Sequence, residues 1–225
     1  MLSKTQKSFL FAFTMCVVCS LILSAAAVGL KDKQERNVRI DKQKNILKAV
    51  GLIEPAKKYS QSDVEALYKR SIQSLYVDAQ GNLVKNETSK PVYVSLKNGK
   101  ISSYALPFKA YGLWSWVKGY IALANDGNTV VGVTVYEHAE TPGLGGEVEK
   151  AWFQDQFVGK KITDSNGKFV SVGVVKGKVS DSVPVSKRSN YVDGISGATI
   201  TSKGVEKYLK IDLQAYEIFS KRLRG

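Results

Sequence analysis

The chain opens with its longest apolar block. No charged residue occurs from Phe9 to Leu30. A helix of about 20 apolar residues spans the hydrocarbon core of a bilayer, so residues 9–30 read as a transmembrane helix. Ser24-Ala25-Ala26-Ala27 would suit a signal peptidase. The apolar run, however, exceeds the usual signal core of ~7–15 residues, and a charged helical stretch follows at once, which favours an uncleaved anchor. From Lys31 to Val50 the apolar positions Val38, Ile40, Ile46, Leu47 and Val50 continue at helical spacing, and Gly51 and Pro55 stop the pattern. Residues 31–60 therefore form a helical stalk and linker.

Beyond residue 60 the period changes. Ser62 to Tyr76 carries Val64, Leu67, Tyr68, Ile72 and Leu75 on one helical stripe, with Ser62 as cap and Glu65 completing a capping box. Residues 92–97 and 100–104 flank Asn98-Gly99, the dipeptide suited to the type I′ turn of a β-hairpin. Residues 119–124 and 129–136 flank Asn125-Asp126-Gly127-Asn128 and predict a second hairpin, and Lys168 to Val175 a further strand. Glu147 to Phe157 predicts a helix with Val148, Trp152 and Phe157 facing inward. A last helix follows residue 202, with Val205, Leu209, Leu213, Tyr216, Phe219 and Leu223 recurring every three or four residues. Antiparallel hairpins with segregated helices predict an α+β fold: one N-terminal transmembrane helix, then an antiparallel-sheet domain over residues 61–225 with flanking helices.

Charge narrows the partners. The 225 residues carry a formal net charge of +13, which suits an anionic membrane, an acidic protein partner or nucleic acid. The lysines are scattered and no zinc-finger or RRM signature occurs, so nucleic acid is not a predicted partner. Cys16 and Cys19, the only cysteines, both lie in the apolar block. No other Cys or His lies near them in sequence, and small apolar packing fits them better than metal binding.

Two stretches carry candidate chemistry. Asp193-Gly194-Ile195-Ser196-Gly197-Ala198-Thr199-Ile200-Thr201-Ser202 places four hydroxyls at the start of the last helix. They either cap it or share its free N–H groups and positive dipole end with a phosphate. Glu137-His138-Ala139-Glu140-Thr141-Pro142-Gly143-Leu144-Gly145-Gly146 lies between a strand and a helix, and its glycines admit close approach of a ligand. It does not match the dinucleotide fingerprint, since Gly146 comes too early to serve as the third glycine. His138 is the only histidine and belongs to no triad; Trp114 and Trp116 could stack on a planar group, with core burial the expected role of at least one. No nucleophile–base pair or metal-ligand cluster emerges, so no catalytic or metal-binding residue is predicted.

Residues 193–199 resemble the flavinylation motif Asp-x-x-Ser/Thr-Gly-Ala-Thr of the bacterial covalent FMN-binding domain family. Tyr111-Gly112-Leu113-Trp114, His138 to Glu147 and the Cys-Val-Val-Cys-Ser of the anchor resemble, along almost the whole chain, the C-subunit family of the sodium-translocating NADH:quinone oxidoreductases. The resemblance implies one FMN joined by a phosphoester to Thr199, installed by a flavin transferase. Ser196, Gly197, Ala198 and Thr201 would surround the attachment, and Thr141, Leu144, Gly145 and Trp114 the flavin ring. It leaves Thr201 and Ser202 as the capping residues, and Asp193 for transferase recognition or for capping a turn. It further implies partnership with the other membrane subunits, NADH oxidation on a different subunit, and relay of single electrons from an iron centre to another flavin. The family's topology puts residues 1–8 in the cytoplasm and the domain on the periplasmic side of the inner membrane. Counting Lys and Arg near the ends of the apolar block favours the opposite orientation. Two alternatives stand beside this reading: the G subunit of the related ion-translocating electron transport complex, which shares the motif, and a membrane-anchored basic binding module without flavin.

Overall fold

The structure is a computed structural model that describes residues 3–54, 57–87 and 89–225. Two compact units divide it, Met1–Asp41 and Lys42–Gly225. One helix, α1 (Lys4–Ala49), supplies the first. It is long and apolar enough to cross a membrane, with a mean hydropathy of 2.4 in its most apolar window and none of that window buried. Cys16 and Cys19 are exposed on it, like Phe9, Phe13, Leu21 and Leu23. In water such a surface costs about 25 cal/mol per Å²; in lipid it is solvated. α1 ends at Ala49, ahead of Gly51, whose φ of +73° a helix cannot accept; Pro55 lies outside the described residues.

The second unit is built on a six-stranded antiparallel sheet in the order β2-β1-β3-β4-β5-β6. Its strands are β1 (Ile72–Val77), β2 (Leu83–Val84), β3 (Lys90–Lys97), β4 (Lys100–Tyr111), β5 (Trp116–Ala124) and β6 (Val130–Glu137). Both predicted hairpins are present, β3–β4 and β5–β6, the first turning on Asn98 and Gly99 at φ +53° and +75°. The Ser62–Tyr76 helix is corrected. α2 spans Gln61–Ser71, capped by Ser60 in a capping box with Asp63, and Ile72 onward leaves the helix for β1. Ser60 lies two residues closer to the chain start than Ser62, and Asp63 rather than Glu65 reaches back to the cap. Pairing of Ile72–Val77 with β3 decides the strand, a contact distant in sequence that outweighs local periodicity.

The chain from residue 145 to 192 is mostly irregular. The expected helix Glu147–Phe157 breaks into a 3₁₀ turn (Gly145–Glu149), α3 (Ala151–Gln154) and a second 3₁₀ turn (Asp155–Phe157). Val148 and Phe157 are buried as expected, but Trp152 faces outward and Phe153 takes the core position. The strand expected over 168–175 shrinks to β7 (Gly173–Val174), parallel to β8 (Tyr191–Val192), with α4 (Val179–Ser182) between them. α5 (Thr199–Ala215) then packs on β4, and α6 (Glu217–Arg224) follows it. Val205, Leu209, Leu213, Tyr216 and Phe219 are buried against sheet residues such as Leu106, Phe108 and Ile121, and Leu223 is half-buried beside them. Ile46, Leu47 and Ala49, at the end of α1, and Val50 just after it are also buried. The packed unit thus begins at Lys42, inside the segment that reads from sequence as stalk and linker.

Candidate functional site

The stretch Asp193–Ala198 is the loop joining β8 to α5. Its path is held by its own backbone and by three side chains. Asp193 accepts the Val179 N–H at 2.7 Å, capping α4, while Gln156 Oε1 accepts the Asp193 N–H at 2.9 Å. Ile195 and Ala198 point into the core. The Ile195 N–H donates to Ser202 Oγ at 3.1 Å. Gly197 adopts φ +72°, and a Cβ there would stand 2.8 Å from Leu144 Cδ2. That conformation lets the loop turn sharply into the helix, and the missing side chain brings it against the 141–146 loop.

The helix that follows is capped by no side chain. Its N-cap is Ala198, which has no side-chain oxygen to offer. Thr201 and Ser202, expected as caps, are buried and engaged elsewhere: Ser202 with Ile195, Thr201 with Glu140 Oε2 at 2.7 Å. Thr199, the first helical residue, is exposed and borders both hollows described below, while Ser196 and Ile200 flank it. The first turn of a 17-residue helix therefore presents free N–H groups and one hydroxyl to those hollows.

Glu140, which sequence reasoning passed over, is the hinge of the site. It is 4 % exposed. Its carboxylate accepts the N–H groups of Leu113, Trp114 and Ser115 at 3.1, 2.8 and 2.9 Å, together with the Thr201 hydroxyl. Burial alone would push its pKa up, but these four hydrogen bonds more than offset it and hold the group below the usual carboxylate range. Gly112 and Gly145 make room for it: a Cβ at either would stand 2.6 Å from a carboxylate oxygen. His138 supports it from behind, its Nδ1 accepting the Glu140 N–H at 3.2 Å and its Nε2 lying 3.2 Å from Glu149 Oε2. One carboxylate thus ties together the 112–115 turn, the 137–146 loop and the first turn of α5, three segments far apart in sequence.

Around Thr199 these segments form two adjoining hollows. The smaller, of about 280 Å³, is lined by Leu113, Trp114, Thr141, Leu144, Gly145 and Thr199 among others. The larger, of about 780 Å³, is lined by Trp152, Lys176, Lys178, Ser196, Thr199 and Lys203 among others. The predicted residues Thr199, Gly197, Ala198, Thr201, Thr141, Leu144, Gly145 and Trp114 thus lie together, and Ser196 borders the larger hollow beside Thr199. Neither tryptophan of the Tyr111–Trp116 stretch is a core residue. Trp114 is 67 % exposed over the smaller hollow, and Trp116 is 39 % exposed, packed on Tyr111 and Tyr208 with the Lys109 ammonium 4.1 Å over its ring. Trp152 and the three lysines are further residues that sequence reasoning missed. The outward turn of Trp152 follows from its Nε1–H bond to Glu147 Oε2 at 2.7 Å and from the break in the surrounding helix.

The donor set suits an aromatic phosphate ester. Apolar Leu113, Trp114, Leu144 and Ile200 stay exposed side by side, which is costly in water unless a planar apolar group covers them. The lysines and the uncapped α5 terminus beside them suit an anion.

Comparison with known proteins agrees with this geometry. The family profile described as FMN-binding domain matches residues 112–214, the stretch from the Gly112 turn almost to the end of α5. The C subunit of the Na(+)-translocating NADH-quinone reductase of Pseudomonas aeruginosa is 34 % identical, covering 98 % of this chain and 96 % of its own length. That of Vibrio anguillarum is 36 % identical, covering 89 % of this chain and 87 % of its own. The crystal structure of the same subunit from Parabacteroides distasonis superposes with a TM-score of 0.72 at 34 % identity, covering 85 % of this chain and 96 % of that one. Shewanella oneidensis NqrC superposes with a TM-score of 0.69 at 25 % identity, covering 85 % and 99 %. By sequence along its whole length and by fold, this chain belongs to the C-subunit family of the Na(+)-translocating NADH-quinone reductases.

Proposed function

We propose that this chain is an electron-transfer subunit of a membrane sodium-pumping NADH:quinone oxidoreductase, carrying one FMN as a phosphoester on Thr199. The observation that carries the reading is the place of Thr199. It is the first residue of a helix without a side-chain cap, between an apolar wall and a set of lysines.

Each neighbour has a part. The N–H groups of the first turn of α5 receive the phosphate oxygens, and the positive end of the helix stabilises their charge. Gly197 and Ala198 keep large side chains out of that approach, and Ser196 offers a hydroxyl beside it. Trp114, Thr141, Leu144 and Gly145 hold the ring and exclude water from one of its faces. Thr201 holds the helix to Glu140, and Glu140 holds the Trp114 wall. The bound flavin supplies the one-electron redox chemistry, which no side chain of the site possesses. NADH oxidation belongs to another subunit, in keeping with Val148 at the position where a dinucleotide fingerprint needs its third glycine.

Residues 9–30 anchor the chain in the inner membrane, residues 1–8 face the cytoplasm, and the flavin domain, within residues 61–225, lies on the periplasmic side, where the flavin transferase meets it. Its standing partners are the other membrane subunits of the complex.

Production of the chain together with a flavin transferase tests this reading. The expected product is yellow, gains the mass of one FMN less water, and fluoresces as a band after denaturing electrophoresis. Thr199→Ala is expected to give a folded, colourless chain. A fluorescent Thr199→Ala band would overturn the assignment, and a wild-type chain without flavin would favour the basic binding module instead.

A further inference from the structure

A second hollow, of about 840 Å³, lies between the turn at Asp164–Asn166, the segment 170–173 and the side of α5. The flavin reading does not use it. Lys203, Lys207 and Lys210, at i, i+4 and i+7 on one face of α5, border it, and Lys187 lies opposite on the 3₁₀ turn Val185–Asn190. Two acids share the space and both are engaged. Glu206 Oε2 pairs with Lys203 at 2.7 Å, and Asp164 Oδ1 accepts the N–H groups of Asn166 and Lys168 at 2.9 Å each. Lys187, Lys207 and Lys210 therefore leave positive charge that these acids do not balance.

Ser171 forms part of the lining and is 2 % exposed. Its Oγ has no hydrogen-bond partner, and its backbone adopts φ +69°, which a non-glycine residue rarely takes. The Val170 and Ser171 N–H groups both donate to the Ile162 carbonyl, at 2.8 and 2.9 Å, so the chain bulges at this residue. Among the buried serine hydroxyls of the described residues that lack a partner, those of Ser95, Ser103, Ser171 and Ser220, only that of Ser171 combines a positive φ with a place in this hollow. A ligand accepting from that hydroxyl would explain it.

We propose that this hollow is a binding site for a compact phosphate-class polyanion, with Ser171 donating to it and Lys187, Lys207 and Lys210 neutralising it. An inorganic or nucleotide diphosphate and the headgroup of an anionic lipid share this chemistry. Such binding is independent of flavin attachment, since Thr199 is not part of this hollow.

Titration of the full chain in detergent with inorganic pyrophosphate at fixed ionic strength tests it. Saturable binding of one equivalent is expected. Lys207→Ala/Lys210→Ala is expected to weaken it at least about tenfold, by removing two charged contacts. Ser171→Gly relieves the positive φ and keeps the fold while removing the hydroxyl, and is expected to weaken binding about three- to tenfold without lowering the melting temperature. The control pair Lys97→Ala/Lys100→Ala, at the exposed β3–β4 turn, and Thr199→Ala are both expected to bind as the wild type does. Reconstitution in phosphatidylcholine nanodiscs with or without phosphatidylglycerol separates the sources. Weaker pyrophosphate binding with phosphatidylglycerol marks a headgroup occupant, and equal binding a soluble one. Binding that does not saturate, that falls equally in the control pair, or that ignores Ser171→Gly would overturn the proposal.

Discussion

Glu140 is the residue on which the site turns, because four donors converge on one buried carboxylate. Replacing it by Ala leaves those donors without an acceptor. Breaking such a charged network costs about 3–5 kcal/mol. Urea unfolding of Glu140→Ala is expected to show a loss of that size, together with poorer flavin loading, while Thr199→Ala is expected to retain wild-type stability. The pH dependence follows from the sign of the shift. The folded pKa lies below the ordinary 4.5, so the carboxylate's contribution is complete above that value and is lost as pH falls through the lower folded value. The stability gap between wild type and Glu140→Gln is expected to narrow as pH drops below 4.5. A gap that stayed constant would mean that the charge itself contributes little. In the sequence Glu140 is one of two carboxylates beside a histidine, with no spacing to distinguish it. Its importance comes from residues 25 to 61 positions away, which no local pattern displays.

Among the elements, α5 carries most of what the site needs, and its seating on β4 is close. A Cβ at Gly204 would stand 2.0 Å from the Tyr111 carbonyl oxygen. Gly204→Ala therefore sets a gain in helix propensity of about 1 kcal/mol against a backbone clash of about 1–3 kcal/mol. At 2.0 Å from a main-chain atom the clash wins, since no flexible side chain can yield. A melting temperature lowered by about 2–6 °C is expected for this variant, and an unchanged or raised one would show that α5 shifts freely on the sheet. The contact has a polar side as well: Asp212 of α5 accepts the Lys109 N–H of β4 at 2.7 Å. Burial raises the Asp212 pKa although that hydrogen bond opposes the rise. The buried stripe of α5 and the hairpin turns were legible because they are local: period 3.6 in one, Asn-Gly in the other. The break in the 145–157 helix and the brevity of β7 were not. Trp152 fits a helical stripe as well as Phe153 does, and the packing of Phe153 against Phe157, together with the Trp152–Glu147 hydrogen bond, selects between them.

For the whole molecule, the boundary of the packed unit lies inside α1. Ile46, Leu47, Ala49 and Val50 are each at most 5 % exposed, so the last turns of the helix belong to the core of the sheet domain. A chain beginning at Lys42 is expected to fold and remain soluble. One beginning at Leu52 is expected to unfold, since losing buried Ile and Leu side chains costs about 2–5 kcal/mol each against a total stability of about 5–15 kcal/mol. Circular dichroism and urea unfolding of the two truncated chains distinguish these outcomes. Equal stability would place the boundary beyond residue 51.

Sequence alone determined the long apolar N-terminal helix, the α+β class, the two hairpins, the buried stripe of the last helix and the family, with Thr199 singled out by its motif. These are properties of short windows: an uncharged run, a period, a turn dipeptide, a loop ahead of a helix. Tertiary structure decided that Ile72–Val77 is a strand, that Ala198 rather than a hydroxyl residue opens α5, that Trp152 faces the hollow, and that Glu140 joins three distant segments beside Thr199. Each depends on which groups meet after folding. A buried carboxylate, an uncapped helix end and a strand edge are defined by partners that lie elsewhere in the chain.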